Sequence, residues 1–573
     1  MEIFMIYHFK LSQVEEIKGL IRIKMTEMNY EEDYYLRYSL LIEEALIKWN
    51  KESEADAGLE IRINDKGNRT SISLSEKGQR IYPFETEKEP GDYIGRMHDR
   101  LLSGTGCEIY YRYRRHTNCL NLVLPKTDHE KKLFYGNAKA LAVPIAVQFL
   151  LMNLLTTTDS ILMGFVDQSS LSAISITGSF VNLYNIIITA LVTGTTIFAS
   201  QFWGKRDWRG LGRVLSVSLK ISSVFSVLIF CITCFAPRWL MGIYTNIPKL
   251  IDLGSMYLKL LSPTFLFTGF YQIYYAIMKN SGKVVRCTVY MICAAIIDCF
   301  LNIIMVFGFL GIKPMGIKGA AIGTCIASAV QFAAALIDLI LTRNLKISIK
   351  SDPLAKEMIR NYVKKSWPVL LQLITWSIAD NVITSLFGRM GSDIIAANGI
   401  ILIIRRVLPF ASSGVFETCG IMVGNKLGNG DLSMAKEYSH RYIKIAAWVA
   451  AATAALILIL NPVIEFIPLS LSPEAFRILH ILMIAVAFEV AFYGINCTMN
   501  YGAFYAGGDT LALMVIDTIN MWVFMIPVGL LCMYVFRIPF IYIAVFFNVN
   551  ELTSFPFKVK RYRKYKWLKK LTD

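Results

Sequence analysis

Residues 144–164 read PIAVQFLLMNLLTTTDSILMG, and residues 368–388 read PVLLQLITWSIADNVITSLFG. Each stretch is long and apolar enough to cross a bilayer core of about 30 Å, which takes roughly 20 helical residues. Each also begins with Pro, carries Gln four residues later and ends with Gly. The two stretches therefore predict membrane-spanning helices that occupy equivalent places in an internal repeat.

The repeat continues beyond these helices at a constant offset of 224 residues and without a gap. Further residues that coincide at this offset are Ala173 with Ala397, Gly204 with Gly428, and Asp207 with Asp431. A common plan for transporters is two six-helix halves with the substrate site between them. The alternative is two similar hydropathy patterns without a common structure.

The apolar composition of the chain is concentrated in its last four-fifths. The chain has 573 residues, 54% of them hydrophobic, with a mean hydropathy of +0.46. Residues 1–132 are mixed and polar, whereas residues 138–557 are dominated by apolar runs. Twelve segments are predicted to span the membrane: 138–164, 171–199, 214–236, 252–278, 286–311, 318–341, 366–388, 394–424, 443–468, 476–505, 511–535 and 537–557.

The positive charge of the chain predicts its orientation in the membrane. The formal net charge is +16, and the basic residues lie mostly between apolar runs, as the positive-inside bias predicts, so we expect no nucleic-acid partner. Loops after the even-numbered spans are the basic ones, including Lys205, Lys279 and the tail from Lys558. The first residues lack the pattern of a secretory signal. We therefore expect a multi-pass protein of the plasma membrane with both termini in the cytoplasm.

Five segments of the apolar region resemble motifs of the multidrug and toxic compound extrusion (MATE) transporters. They are the Pro-opened first span with its late Asp, ASQFWGKRD, GIKGAAIGT, AGGDT and RYRKYKW. The resemblance covers about residues 135–570 and implies an antiporter that exports small organic or cationic compounds. It implies no enzyme activity and no cofactor, with H⁺ or Na⁺ as the coupling ion.

The first half contains the acid to which the resemblance assigns ion coupling. Asp159 lies late in the first span among Thr and Ser residues, and a charged group within the hydrocarbon is rare without a function. In the family the matching Asp binds the coupling proton or Na⁺, so Asp159 is the one candidate for a bound metal ion. Asn302 and Thr324 match the side chains that join it. The family often has a second Asp four residues after the Asn, but this chain has Val306 there. Asp298 lies one turn before Asn302 on the same helix face and is the candidate to replace it. A structural Asp near the outer interface is the alternative for Asp159.

The second half carries its own acids within the predicted spans. Asp380 and Glu489 are candidates for binding cations, although neither falls where the family's motifs place such a group. Arg405 and Arg406 provide the alternative of structural ion pairs.

The leading domain resembles the histidine-kinase-like ATPase fold in its anti-sigma-factor branch. The segments are YYLRYSLLIEEALIKWN, ISLSEKGQRIYPFE and EIYYRYRRHTNCLNLVL. Glu44 matches the catalytic base, but Lys48 stands where the family has the Asn that holds Mg²⁺. Glu76, followed by Gly78, replaces the Asp that reads adenine. The resemblance thus implies a degenerate nucleotide site, and we expect a regulatory domain that binds a cytoplasmic protein partner.

Together these observations predict an all-α bundle of twelve transmembrane helices in two six-helix lobes, with an N-terminal α/β two-layer sandwich. The expected divisions are the ATPase-type domain at 1–130, the two lobes at 135–345 and 346–560, and a basic tail at 561–573. The expected partners are a small-molecule substrate, the bilayer and a protein for the leading domain. The competing hypotheses are a flippase for lipid-linked precursors, which would need clustered cations in its cavity, and a membrane-tethered sensor with a kinase-like domain.

Overall fold

The computed structural model describes residues 3–28, 32–53, 57–65, 69–79, 81, 108–125, 127–164, 167–309, 311, 313–342, 353–467 and 471–572. Within them the chain forms two compact units, Met1–Asn137 and Ala138–Asp573. Residues 89–106, in which no Gly-rich lid motif of the ATPase fold is evident, lie outside the described residues.

In its described residues, the N-terminal unit has a five-stranded antiparallel sheet and two helices. The sheet order is β1-β2-β3-β5-β4. The elements are β1 (Ile3–Lys10), α1 (Val14–Glu27), α2 (Glu32–Glu52), β2 (Gly58–Asp65), β3 (Arg69–Lys77), β4 (Glu108–Arg114) and β5 (Thr117–Pro125). Alternate residues of β2 read buried and partly exposed, the pattern of a sheet covered on one face.

One hydrophobic core joins the helices to that face of the sheet. Ile17 and Ile21 of α1, Trp49 of α2, and Ile61 and Leu120 of the sheet all belong to it. The helices thus form one layer and the strands the other. The segment EIYYRYRRHTNCLNLVL, which corresponds to the closing hairpin of the resembled fold, forms the strands β4 and β5, which pair with Arg114 opposite Thr117.

The second unit is a bundle of long apolar helices. Its helices are α3 (Thr127–Gly164), α4 (Gln168–Gly204), α5 (Trp208–Phe235), α6 (Pro237–Tyr244), α7 (Pro248–Asn280), α8 (Val284–Phe307), α9 (Ile317–Leu341), α10 (Pro353–Phe387), α11 (Ser392–Val407), α12 (Phe410–Gly428), α13 (Leu432–Val463), α14 (Pro473–Met499), α15 (Thr510–Ile519), α16 (Ile526–Leu530), α17 (Phe540–Phe547) and α18 (Asn550–Arg563). A short 3₁₀ turn, Ile464–Phe466, extends α13.

In the described part of the chain, eleven helical segments are long and apolar enough to cross a membrane, and a bent pair brings the number to twelve. The pair is α11 and α12, which meet at an angle of 42°. Pro409 lies at the break, and a residue before proline disfavours helical geometry. The eighth predicted span, drawn as one helix over 394–424, is therefore bent in its middle.

Three π-helical turns interrupt the end of the bundle: Asn500–Tyr505, Asn520–Met525 and Leu531–Val535. A π turn widens the helix by one residue and recurs at functional sites. The first of these turns continues α14 and presents two of its tyrosines to the cavity described below.

The ends of α4 and α12 pack against each other through two glycines. A Cβ on Gly204 would collide with the carbonyl oxygen of Asn425, and a Cβ on Gly428 would collide with that of Gln201. The 224-residue offset relates Gly204 to Gly428 and Gln201 to Asn425, so it relates one contact to the other. This pair of contacts, the Gly204–Gly428 crossing, is therefore two-fold symmetric.

Aspartate caps at the same end of the bundle obey the same offset. Asp207 accepts a hydrogen bond from the backbone N–H of Gly210, and Asp431 accepts one from that of Met434. Each carboxylate satisfies an amide that the first turn of its helix leaves without a partner. The predicted repeat therefore appears in the structure as matched caps and a matched crossing.

The residues after α18 fold back onto this end of the bundle. Trp567 is buried and stacks on Tyr562 with a ring separation of 5.5 Å. Gln201 accepts a 2.7 Å hydrogen bond from the backbone N–H of Leu571, and Lys205 donates one of 2.7 Å to the carbonyl of Thr572. Helix α18 runs to Arg563, so the predicted tail begins inside it.

Candidate functional site

A cavity of about 210 Å³ lies among α3, α4, α7, α12 and the π-helical turn that follows α14. The first three helices belong to the first repeat and the other two elements to the second. The described residues that line it are Phe149, Met152, Thr189, Val192, Thr193, Thr196, Ile197, Ser200, Gln272, Lys279, Glu417, Gly420, Tyr501, Tyr505 and Ala506. A concave, mostly apolar site with a few polar groups is the usual form of a small-molecule pocket.

An ion pair crosses this cavity between the repeats. Lys279 Nζ of α7 lies 2.8 Å from Glu417 Oε1 of α12, with side chains 17% and 16% exposed. The prediction that Lys279 lies in a loop is wrong, because α7 extends to Asn280 and carries Lys279 in its last turn. A loop lysine and a lysine of a last helical turn look alike in sequence, since both follow an apolar run.

Aromatic rings form one wall of the cavity. Phe149 lies 6.1 Å from Phe416, Phe416 lies 4.5 Å from Tyr501, and Tyr501 lies 5.1 Å from Tyr505, measured between ring centroids. These separations are those of favourable aromatic pairs. The wall gives a flat apolar molecule a surface on which to pack.

A chain of hydrogen bonds leads from the cavity into the second repeat. The Tyr505 hydroxyl donates to Gln372 Oε1 at 2.9 Å, and Gln372 Nε2 donates to Asp517 at 2.5 Å. Lys558 Nζ then lies 3.0 Å from Asp517 and 3.3 Å from Glu551. The Lys558 side chain is only 2% exposed, so its charge is stabilised by these two acids.

The same network reaches a second ion pair. Glu489 accepts hydrogen bonds from the backbone N–H of Glu551, the shorter being 3.1 Å. Arg405 Nη2 lies 3.1 Å from Glu489 Oε1, and Arg405 also donates to Asn548 at 3.2 Å. This second-repeat network thus contains two cationic and three acidic side chains, all named above. Fully ionised, it would carry one unbalanced negative charge, which one proton or one monovalent cation would neutralise.

The predicted acids of the second half are placed differently by the structure. Glu489 is buried and paired with Arg405, which was the structural alternative for it. Asp380 lies on an exposed position of α10, and Arg405 acts on it electrostatically. Of the two predicted acids, Glu489 thus forms the ion pair with Arg405.

Sequence reasoning missed Lys558, which was assigned to the basic tail. In the structure it lies inside α18 and is buried. Its spacing from Glu551, seven residues or two helical turns, puts both side chains on one helix face. That spacing was the available signal, and the many exposed lysines that follow obscured it.

In the first repeat the predicted Asn302 and Asp298 are both buried on α8. A Cβ on Gly323 would collide with Asn302 Oδ1, so the side chain of Asn302 packs against α9 beside Thr324. Thr324 is half-buried. The structure thus brings Asn302 next to the segment that holds Thr324, and Asp298 lies one turn away on the same helix.

Asp159 lies on α3, whose helix runs to Gly164, but its side chain is outside the described residues. Along that helix it is seven residues beyond Met152, which lines the cavity. Seven residues are two helical turns, so Asp159 lies about 10 Å further along the axis of α3 than Met152. Among the residues that the structure describes, no group of three or more His, Cys, Asp or Glu side chains could hold a metal ion.

Two of the candidate nucleotide residues of the N-terminal unit, Glu76 and Gly78, have hydrogen-bond partners within the protein. Glu76 is fully buried on β3 and accepts hydrogen bonds from Ser53 at 2.5 Å and from Asn118 at 2.8 Å. Tyr113 donates to the carbonyl of Gly78 at 3.2 Å. Glu44 and Lys48 are half-buried on α2. Each oxygen of Glu76 thus accepts a hydrogen bond from a neutral donor of the protein itself.

A polytopic membrane protein with an internal repeat, a cavity between the repeats and buried charges has the features of a transporter. The MatE family model matches the chain twice, at residues 144–304 and 368–531. The two matches begin 224 residues apart, at Pro144 and Pro368. The chain belongs to the MatE family, which is a family of transporters and not of enzymes.

Curated relatives share about a fifth of their residues with this chain. The uncharacterized transporter YisQ of Bacillus subtilis is 22% identical over 323 residues, which are 56% of this chain and 71% of that protein. The human multidrug and toxin extrusion protein 1 is 20% identical over 403 residues, 69% of this chain and 68% of that one.

Solved structures share the fold of the membrane unit. A multidrug resistance MATE family transporter in an outward-facing conformation superimposes with a TM-score of 0.68 at 18% identity, covering 75% of this chain and 96% of that one. The Vibrio cholerae MATE transporter VcmN in its bent form gives 0.66 at 17% identity, covering 76% and 99%. The predicted MATE fold is confirmed.

Proposed function

We propose that this protein is a secondary active antiporter of the plasma membrane that exports small organic compounds, cationic ones included, in exchange for H⁺ or Na⁺. The observation that carries the proposal is the cavity between the two repeats, which is connected to buried ionisable groups through Tyr505 and Gln372. In such an arrangement, a change in protonation or cation occupancy alters the contacts between helices around the cavity. An ion can then bias which way the cavity opens.

Asp159 is the proposed coupling group of the first repeat, together with Asn302, Thr324 and Asp298. The packing of Asn302 beside Gly323 supports a common site on α8 and α9. In the second repeat, the network of Glu489, Glu551, Asp517, Lys558 and Arg405 is the proposed partner site, with Asp380 near Arg405. A carboxylate that lacks a full complement of cations is suited to exchange a proton or Na⁺.

The test is gradient-driven efflux of a cationic dye from everted vesicles, with pH and Na⁺ gradients imposed separately. Asp159→Asn should abolish the response to the coupling gradient while leaving folded protein in the membrane. The matched control is Asp252→Asn, an exposed acid of α7 that forms a surface ion pair with Arg238. Unchanged coupling in Asp159→Asn would remove that residue from the mechanism.

The flippase hypothesis receives less support from the described cavity. A site for a pyrophosphate-linked lipid would need several cations without acidic partners. Among the described lining residues, Lys279 is the one cation, and Glu417 neutralises it. Movement of a pyrophosphate-linked lipid analogue between leaflets, insensitive to ion gradients, would favour the flippase instead.

For the N-terminal unit we propose a degenerate ATPase-type domain that lies in the cytoplasm and binds a protein partner. The complete burial of Glu76 supports this proposal, because a base-reading carboxylate must be accessible to the nucleotide, and both of its oxygens already accept hydrogen bonds from the protein. Titration of the full-length protein with a fluorescent ATP analogue should give no Mg²⁺-dependent binding. Tight binding with turnover would contradict the proposal and revive the kinase-like sensor hypothesis.

A further inference from the structure

The Lys279–Glu417 pair breaks the symmetry of the repeat inside the cavity. At the 224-residue offset, Glu417 corresponds to Thr193, which also lines the cavity. The turn after α7 matches the turn after the π-helical segment at an offset of 226, since Gly282 and Gly508 both have positive φ, so Lys279 corresponds to Tyr505. The symmetric counterpart of the pair is thus a threonine and a tyrosine, without an ion pair. The helices need no ion pair at this place to pack, so the pair indicates a function specific to the cavity.

The pair also sets the charge that the described part of the cavity presents to a molecule. Lys279 and Glu417 are the two charged side chains among the described lining residues, and they neutralise each other across 2.8 Å. A monovalent cation that bound Glu417 would take it from Lys279 and leave a poorly solvated ammonium without a partner. A monovalent anion would leave the carboxylate in the same state.

A molecule with both charges avoids this penalty. Its ammonium can replace Lys279 at Glu417 while its carboxylate replaces Glu417 at Lys279, so that each charge exchanges one partner for another. The aromatic wall of Phe149, Tyr501 and Tyr505 would meanwhile pack against its apolar body. We propose that Lys279 and Glu417 form the charge-reading site of the cavity and that the preferred substrates are zwitterionic organic molecules with a flat apolar body.

This inference rests on the proposed export function and narrows its substrate class.

The test uses a rhodamine carboxylic acid, a zwitterion at neutral pH, and its methyl ester, a permanent monocation. The two dyes differ by one methyl group and share one ring system. Purified full-length protein should bind the acid about thirtyfold more tightly than the ester. This factor corresponds to the lower end of the free-energy cost of leaving one member of a buried charge pair without its partner. Equal affinities, a preference for the ester, or no binding of the acid would overturn the proposal.

Variants of the pair sharpen the test. Lys279→Met leaves Glu417 alone and should reverse the preference in favour of the ester. The exchanged double variant, Lys279→Glu with Glu417→Lys, keeps a pair and should keep the preference for the acid, provided that it elutes as a single species like wild type. If Lys279→Met does not fold, Glu417→Gln together with Lys279→Met tests the same point, since it should bind both dyes alike. An unchanged ratio in every variant would contradict the proposal.

Transport separates the failure of this inference from that of the proposed function. Gradient-driven efflux of the ester with no preference for the acid would overturn the zwitterion proposal and leave the antiporter intact. Binding of the acid, with the expected variant pattern but without gradient-driven movement of either dye, would overturn the antiporter and leave the charge-reading site.

Discussion

The two repeats of the membrane unit place a glutamine at the same position of their first helices and use it differently. Gln148 donates to Thr288 at 2.6 Å, a contact between neutral groups. Gln372, 224 residues later, donates to Asp517 and so joins a network with Lys558 and Glu551. At the helix ends, by contrast, the repeats share their aspartate caps and the Gly204–Gly428 crossing.

This contrast separates what the repeat preserves from what it varies. The helix ends fix backbone geometry, which both halves need in the same form. The interiors hold the polar groups, whose number and charge differ between the halves. In the second repeat, Gln372 binds a buried acid whose charge is balanced by Lys558. In the first repeat, Gln148 binds the neutral Thr288, and this contact requires no cation. Four experiments test this difference.

Lys558→Met should have the largest effect, because it leaves Asp517 and Glu551 buried without their ammonium partner. Removing one member of a buried ion pair typically lowers the free energy of unfolding by about 3–5 kcal/mol. Thermal unfolding of the purified protein in detergent should show a large drop in the midpoint. Lys560→Met, an exposed position of the same helix, is the control and should behave like wild type. Equal midpoints for both variants would mean that the network does not stabilise the second repeat.

Gly204→Val and Gly428→Val should each force the ends of α4 and α12 apart. Overpacking of this kind typically costs about 1–3 kcal/mol. The opening can be followed by maleimide labelling of a cysteine placed at Ala506, which is buried beside Gln201. Both variants should raise the labelling rate to a similar extent. Gly178→Ala, where an added Cβ meets nothing within 4 Å, should leave the rate unchanged. A large difference in labelling rate between the two valine variants would show that the two contacts of the crossing are not equivalent.

Asp207→Ala and Asp431→Ala should each reduce stability by about 1 kcal/mol, the usual effect of losing an N-cap side chain. Because the two caps are related by the repeat, the two variants should lose the same amount of stability, and this equality is the more stringent test. Thermal midpoints of the two variants and of Asp252→Asn as a surface control would measure it. A loss confined to one variant would show that only one repeat depends on its cap.

Asp167 should give a small, pH-dependent effect that the second repeat lacks. Its carboxylate accepts hydrogen bonds from the hydroxyl and the backbone N–H of Ser170, the former being the larger cause, and they lower its pKa. The stabilisation is therefore complete above the ordinary pKa of about 4 and is lost as the pH falls through the lowered value.

The corresponding position in the second repeat is Gly391, which caps α11 with a φ of +116° and no side-chain hydrogen bond. Asp167→Asn keeps the capping oxygen and removes the titration. The difference in thermal midpoint between wild type and this variant should thus change between neutral pH and about pH 3.5, by an amount corresponding to less than about 1 kcal/mol. A constant difference at every pH would exclude the cap as a titrating element.

Most of the membrane fold could be predicted from the sequence, because long apolar runs and matched Pro, Gly and Asp residues are local signals. The spans and the 224-residue repeat follow from them. The π turns could not be predicted, since they depend on how helices pack. Pro409 was a local signal for the bend between α11 and α12, and the prediction of one continuous span overlooked it. Lys279 and Lys558 were assigned to a loop and a tail because their partners, Glu417 and Asp517, lie far away in the chain.

The predicted site residues were only partly located. The spacing of Asn302 and Thr324 indicated neighbouring helices, and the structure places Asn302 against Gly323. The sequence could not indicate the partner of Glu489, because Arg405 and Arg406 are adjacent and face different directions on a helix. In the N-terminal unit, the two-layer arrangement was predicted from short motifs. The hydrogen bonds that occupy Glu76 required three-dimensional contacts among Ser53, β3 and β5.

The Gly204–Gly428 crossing consists of main chain alone, and this restricts how it can be controlled. It offers no group to protonate, no side chain to modify and no charge that salt would screen. A change that opens the crossing must therefore act elsewhere and move α4 or α12 as a rigid helix. Groups that control the state of this transporter should be sought along these two helices and their neighbours, and not at the crossing itself.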